Sequence, residues 1–455
     1  MPGPLDGIVV LDMTRALAGP HATMMLGDLG ARVIKIEQPG TGDESRHWGP
    51  PFATAPDAPG SAASPGLAAS PGLAASPGSA GSAGSPGSAA SPGSAGSAGS
   101  PGSAGSPASS GGVAASPDST YFLSCNRNKE SVTCDLSAAD GRDLLLRLAS
   151  HCDVLVENFR PGVLDRLGFS CERLRELNPR LVICSITGFG HDGPEAARPG
   201  YDQIVQGEAG LMSVTGMDQA HPVKAGLSIA DVLAGLHAAL GITAALRERM
   251  ITGHGQVVRT SLLASVVGAH AFQGTRWTVA REVPVPTGNH HPSIAPYGAF
   301  RCADGLIQVA VANEGQWRRF APIVGIDPAD ERFAANQLRV ARRDELIAEI
   351  ERALTRSDRA HWLGLLARAG VPAGSIRAMD EVYEWDQTRS QGLVISVDHP
   401  VLGRIELPGP ALRFDGESPR EHTAPPVLGQ HDAAVRAWLD ELDQIDEAET
   451  ATAGE

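Results

Sequence analysis

Strands that alternate with helices predict an α/β protein built on a parallel sheet. Two observations carry this for the first half: short apolar runs bounded by turns, and helix-length segments between them. A third observation concerns the second half, where two strands flank a turn before a run of helices, predicting a smaller α+β unit.

In order, Ile8-Val-Val-Leu11 is a short apolar strand, Gly19 to Leu29 is helical, and Arg32-Val-Ile-Lys-Ile36 is a second strand. Ser131 to Cys134, Val154-Leu-Val156 and Leu181 to Ile186 continue the strands, with helices at Ala138 to Ala149 and Cys171 to Leu177. Crossovers of this length make βαβ units and cover both faces of a parallel sheet. Ligands of such sheets sit beyond the carboxyl ends of the strands. Val232 to Leu246 is a long, charge-poor helical run, closed by Arg247-Glu-Arg249 and the turn Thr252-Gly-His-Gly-Gln256. Further on, Pro296–Phe300 and Ile307–Val311 read as strands around Asp304-Gly305, and helices are expected at Gly315–Ile323, Arg343–Leu354 and Arg359–Ala369.

One segment departs from this grammar. Residues 53–117 repeat Ala-Ala-Ser-Pro-Gly and Gly-Ser-Ala-Gly-Ser units with almost no aromatic or charged side chains. Such a composition buries too little apolar area to offset its ordering entropy and reads as a disordered insert whose flanks meet in space. The expected organisation is a large domain from 1–52 and 118–265, the 53–117 insert, a small domain at 285–390, a return to the large domain at 391–440, and a flexible tail at 441–455.

Composition narrows the function. A formal net charge of −15 argues against nucleic acid or an anionic membrane as the main partner. Six cysteines, scattered without a CxxC pair, read as buried thiols of a reducing compartment. No run approaches the roughly 18 apolar residues of a membrane span, and Met1 to Gly7 shows no basic stretch leading into an apolar one. These features predict a soluble, cytoplasmic protein. Lys35, Lys129 and Lys224 are the only lysines, so positive charge is almost all Arg, a bias that suits phosphate binding but that GC-rich coding also produces.

Several chemistries fail on spacing. The turn after the first strand, Asp12-Met-Thr-Arg-Ala-Leu-Ala-Gly-Pro20, lacks the GxGxxG that brings backbone against a pyrophosphate, although Glu37 falls where a ribose-binding acid would sit. No GxSxG joins a strand to a helix, which argues against a serine hydrolase. His290-His291 stands in a loop without the helical spacing of a zinc pair, so no metal site is predicted. What remains is Asp231, an acid at the mouth of the long apolar helix, with three possible roles: cap, buried partner or nucleophile. Near a helix N-terminus its ionised form is expected to gain about 0.3–1 kcal/mol. Phe159, Arg160 and Arg166, at the end of a strand, offer an aromatic face and two guanidinium groups to an adenine and its phosphates.

The ordered set of motifs says more than any one of them. Leu11-Asp12, Gly19-Pro20, Leu26-Gly-Asp-Leu-Gly-Ala31, Val33-Ile-Lys-Ile-Glu37, Asn126-Arg-Asn-Lys129, Glu157-Asn-Phe-Arg-Pro-Gly162, Asn178-Pro-Arg-Leu181, Gly188-Phe-Gly190, Pro199-Gly-Tyr-Asp202 and Gly253-His-Gly-Gln256 follow one another. In this order the chain resembles the class III CoA-transferases, the family of formyl-CoA and L-carnitine CoA-transferases. The resemblance covers all but the insert and the extreme C-terminus.

That resemblance implies a large Rossmann-like parallel-sheet domain with a smaller α+β domain, in a homodimer whose chains interlock. It implies an enzyme that moves CoA from an acyl-CoA thioester to a carboxylic acid, with Asp231 the catalytic residue carrying aspartyl anhydride and aspartyl-CoA thioester intermediates. CoA thioesters would be substrates, with no tightly bound cofactor. CoA would be held by Arg15, Ala16, Leu17 and Ala18 after the first strand, by Gln38 after the second, and by Asn158, Phe159, Arg160 and Arg166. Leu17 stands where formyl-CoA transferases have a Gln, and Gln38 where they have a basic residue; both departures weigh against a formyl-CoA/oxalate specificity. Their glycine-rich active-site loop corresponds to Gly288-Asn-His-His-Pro-Ser293, which is not glycine-rich. Two alternatives stay open: an α-methylacyl-CoA racemase, whose acid–base His position is Tyr201 here, and a CoA-binding protein without catalysis.

Overall fold

The computed structural model describes residues 3–54, 118–416 and 421–453. All but the first two positions of the expected 53–117 insert lie outside the described residues. Its flanks do meet: Ala53 N–H donates to Asp118 O at 2.9 Å, and Phe52 bridges Ser119.

Six parallel strands form the central sheet: β1 Val9–Asp12, β2 Arg32–Glu37, β3 Lys129–Thr133, β4 Val154–Glu157, β5 Val182–Thr187 and β6 Val257–Ser261. Their order is β3-β2-β1-β4-β5-β6, so the sequence of strands reverses direction between β1 and β4. Alternation along each strand divides the apolar side chains between two faces. On one face Val10, Val154 and Val182 meet Ala22 and Leu26 of the helix Ala18–Asp28, and Ala234, Ala238 and Ile242 of the helix Ile229–Thr252. On the other, Leu11, Ile34, Leu155 and Ile183 meet Leu144, Leu145 and Leu148 of the helix Ala139–His151 and Val435 and Leu439 of the helix Asp432–Ala453.

Three features depart from expectation. Strand β6 was not anticipated, because Val257-Val-Arg-Thr-Ser261 is only half apolar, as an edge strand allows. The helix Ile229–Thr252 reaches a mean hydropathy of 1.7 and is long and apolar enough, by length and composition, to cross a membrane, correcting the expectation that no segment approaches a span. Here its small residues are spent on the core: Ala230, Ala234, Ala238 and Ala245 are buried. The tail expected as flexible from 441 instead continues a helix to Ala453, where Arg147 reaches Asp440 and Asp443 at 2.7 Å. Its acidic, Ala-rich composition reads as tail by charge but is favourable in a helix by propensity.

Beyond β6, strands β7 Tyr297–Cys302, β8 Gly305–Ala310 and β9 Ala373–Ser375 make an antiparallel sheet. Phe300, Ile307, Trp317, Phe320, Ile350 and Leu366 give it a core of its own. A hairpin of β10 Val394–His399 and β11 Gly403–Pro408 then packs on Phe122 and Leu123. All six cysteines are unpaired, and Cys171 alone is partly exposed.

Candidate active site

The turn that leaves β1 is held from below by buried charge. Asp12, the last residue of β1, accepts from Lys129 Nζ at 2.9 Å and from the Thr23 hydroxyl at 2.7 Å. Burial opposes ionisation, but Lys129 and Lys35 override it and hold the Asp12 carboxyl well below its ordinary value. Lys35 pairs with Asp43 at 2.9 Å and donates to Thr14 O at 2.8 Å. Asp43 in turn receives Ala16 N–H at 3.3 Å, and Ala16 takes a left-handed φ of 65°. This turn is therefore bent at an alanine and kept there by the charges beneath it. Glu37, the position of a ribose-binding acid, is consumed by Arg46 at 2.7 Å and the Ser131 hydroxyl at 2.7 Å, which removes it from any ligand role.

The loop after β4 locks onto the same turn. Arg15 N–H donates to Asn158 Oδ1 at 2.9 Å, and Asn158 Nδ2 donates back to Arg15 O at 2.8 Å. Phe159 follows directly, with the Arg15 guanidinium 5.5 Å from its ring centre. The loop after β5 brings in the Pro199-Gly-Tyr-Asp202 segment by a close backbone approach: a Cβ on Gly188 would stand 2.7 Å from Gly200 Cα.

Asp202 then sets the start of the long helix. Its Oδ1 accepts from Ala230 N–H at 2.8 Å, and its Oδ2 accepts from Gln206 Nε2 at 2.7 Å. Gln206 Oε1 accepts from Ala225 N–H at 2.8 Å, so one amide pins both the helix entry and the segment before it. Asp231 is the third residue of this helix and not a residue preceding it. Gly235 lets the helix approach the β1 turn: a Cβ there would lie 2.8 Å from Ala18 O.

These pieces line one cavity of about 480 Å³. Asp231 shares it with Arg15, Ala16, Leu17 and Ala18 and with Asn158, Phe159 and Arg160. Gln38 and Arg166 do not line it. Gln38 is exposed in the turn after β2, and Arg166 is exposed one helical turn beyond Gly162. The loop 288–293 does not reach the cavity either; His291 stacks on Phe272, with ring centres 5.5 Å apart. Residues not anticipated as part of the site also line it: Trp48, Tyr121, Ser228 and Lys224. Trp48 and Tyr121 come from opposite flanks of the insert and meet edge to face at 5.0 Å. Neither belongs to a motif, so only the folded chain reveals them. Among the described residues no histidine lines the cavity.

The electrostatics of Asp231 reverse the expectation from the helix dipole. Among the described residues, no cation or hydrogen-bond donor pairs with its carboxylate. Burial first, and the neighbouring Asp202 charge second, push its pKa up from 3.8 to about 7. A dipole effect of about 0.3–1 kcal/mol is too small to resist desolvation of this size, and Asp202 already takes the Ala230 amide at the helix mouth. Burial, with Asp231 next, also raises the pKa of Tyr121, so that its hydroxyl stays a neutral donor, bonded to Ser228. The arrangement is a carboxylate stripped of partners at the wall of a cavity. A carboxylate so placed is a better nucleophile than a solvated one.

The family model for CoA-transferase family III matches residues 5–66 and 104–432. The chain belongs to CoA-transferase family III. Among family III proteins it is 34% identical to a mouse succinyl-CoA:glutarate CoA-transferase, over 98% of this chain and 87% of that one. It is also 34% identical to a succinate–glutarate CoA-transferase of Agrobacterium fabrum, over 97% of both. A solved CAIB/BAIF family protein from Brucella suis superposes with a TM-score of 0.76 at 34% identity, covering 96% of this chain and all of that one. Relatives named as CoA-transferases over nearly the full chain make this protein a CoA-transferase, and the cavity at the carboxyl ends of its strands is the candidate site.

Proposed function

We propose that this CoA-transferase works through covalent intermediates on Asp231, exchanging CoA between an acyl-CoA and a free carboxylic acid. The single observation that carries the proposal is the unpaired, partly buried Asp231 carboxyl on the wall of the 480 Å³ cavity. A carboxylate oxygen of Asp231 attacks the thioester carbonyl carbon, the C–S bond breaks, and the CoA thiolate leaves a mixed anhydride behind. The thiolate then attacks the Asp231 side-chain carbonyl, expels the donor acid and forms an aspartyl-CoA thioester. The acceptor carboxylate repeats these steps in reverse order and departs as the new thioester. Each step exchanges bonds of similar energy, so covalent catalysis divides one difficult exchange into several easier ones. Tyr121, a neutral hydroxyl on the same cavity wall, is the donor we assign to the oxygen that gains charge as each tetrahedral centre forms.

The nucleotide end of CoA is assigned to the β1 turn and the β4 loop. Arg15 and Arg160 line the cavity without carboxylate partners among the described residues, Phe159 offers a ring face, and the helix Ala18–Asp28 starts at the cavity wall with Ala18. Gln38 and Arg166, which do not line the cavity, have no part in this assignment. A racemase reading requires an acid–base imidazole; the position it would occupy is Tyr201, and the cavity lining contains no His among the described residues. We further read the protein as a homodimer, supported by apolar side chains left open along its helices, with Leu240 67%, Met250 79% and Val279 78% exposed.

Incubation with succinyl-CoA tests the mechanism. Intact-mass and peptide analysis is expected to find a labile adduct on Asp231 that hydroxylamine converts to a hydroxamate. A protein that binds CoA and stays unmodified sinks the covalent reading.

A further inference from the structure

Of the four cations that line the Asp231 cavity, three are already occupied or assigned. Arg198 is bound to Glu208 and Glu195 and lies 4.7 Å from the Phe189 ring centre. Arg15 and Arg160 belong to the loops after β1 and β4, on the nucleotide side. Lys224 is different. It lies on the segment that enters the Asp231 helix, lines the cavity, and is exposed. Its Nζ donates only to the adjacent Ala225 O, at 3.1 Å, and no carboxylate pairs with it among the described residues. The other two lysines, Lys35 and Lys129, are both buried in ion pairs of 2.9 Å.

The backbone beneath Lys224 is not free. Gln206 accepts from Ala225 N–H at 2.8 Å and donates to Leu227 O at 3.3 Å, while also donating to Asp202, the residue that sets the start of the Asp231 helix. The backbone at Ala225, next to Lys224, and at Ala230, next to Asp231, is thus tied through Gln206 and its partner Asp202. An ammonium without a carboxylate partner, on an anchored backbone and lining the same cavity as Asp231, has an evident electrostatic complement. An acceptor with one carboxylate leaves the ammonium facing an apolar chain, which costs desolvation without return. An acceptor with two carboxylates presents one to Asp231 chemistry and the other to Lys224. The second charge also needs a counter-ion there, because Asp202, which lines the same cavity, repels a dianion.

We propose that Lys224 is a specificity-determining residue that selects dicarboxylic acids as acceptors by binding the carboxylate that does not react. This rests on the CoA-transfer reading above. A bland alternative, a solvated surface lysine with no role in selection, makes a different prediction in the same assay.

The test compares acceptors of equal chain length, glutarate against pentanoate and succinate against butyrate, with one acyl-CoA donor at saturation. Lys224→Ala and Lys224→Gln are expected to lower the ratio of kcat/KM for the diacid to that for the monoacid at least tenfold. The loss should appear in the diacid KM, and Lys224→Arg should restore most of it. An unchanged ratio, or an equal loss on both acids, overturns the role of Lys224 while leaving CoA transfer intact. A wild-type protein that transfers CoA to neither class of acid overturns the functional reading itself, an outcome distinct from the first.

Discussion

Asp12 and Asp231 are both carboxylates shielded from water near the same edge of the sheet, and their surroundings send them in opposite directions. Asp12 is fully buried, yet Lys129, Lys35 and two threonine hydroxyls keep it ionised. Asp231 is less enclosed, yet it has no cation and faces Asp202, so its pKa rises to about 7. Burial penalises both charges; the partner decides the outcome. A carboxylate with every lone pair engaged fixes structure, and one with none engaged is available for chemistry. The largest test of this contrast is Asp231→Asn. Transfer should fall roughly a thousandfold or more, because an amide is not a nucleophile here. The fold should move the other way. A pKa raised in the folded state means that the folded protein binds the proton more tightly than the unfolded chain. The penalty is therefore absent below about pH 4, grows with rising pH, and is complete above about 7. Denaturant titrations should find the variant more stable by about 1–3 kcal/mol at pH 8, with the gain vanishing near pH 4.

Asp12→Ala probes the other half of the comparison. It leaves Lys129 buried beside Lys35 with its main counter-charge gone, and should destabilise the protein by about 3–5 kcal/mol. Replacing the pair together, Asp12→Leu with Lys129→Met, should recover much of that loss, because an apolar pair of similar volume is often neutral. Urea midpoints measure both variants. A single replacement that costs less than about 1 kcal/mol would remove Asp12 from the structural role assigned to it.

What could be read from the chain follows the same division. β1, β2, β4 and β5 were legible because each carries an apolar run between turns, whereas β3, Lys-Glu-Ser-Val-Thr, was legible only from Ser131 onward. Phe159 and Arg160 were legible as cavity candidates because they follow the end of a strand in a parallel sheet, whereas Arg15 to Ala18 and Asn158, which also line the cavity, followed only from the family resemblance. Asp231 could be located but its ionisation could not. Local context supplies a helix dipole, whereas desolvation and the Asp202 charge arise from segments that fold together only in three dimensions. Tyr121 and Trp48 were hidden for the same reason, being separated by the insert and joined through a ring contact. Gln38 and Arg166 follow site-forming strands in sequence, yet their side chains turn out to solvent.

The finest division concerns the two causes acting on Asp231 itself. Asp202→Asn removes the like charge and keeps a carbonyl oxygen for the Ala230 amide, while its NH2 group replaces the acceptor of Gln206 Nε2. In the parent protein kcat/KM should rise about tenfold per pH unit up to about 7 and then level off, because the proposed mechanism attacks through the ionised Asp231. In the variant that acid limb should move down by about 0.5–1 unit, with the plateau at pH 8 changed less than about threefold. It should not fall to the ordinary carboxylate range, since burial is the larger cause and is untouched. A limb that does not move assigns the whole shift to burial. One that drops to the ordinary range makes Asp202, and not the desolvated wall of the cavity, the group that tunes Asp231.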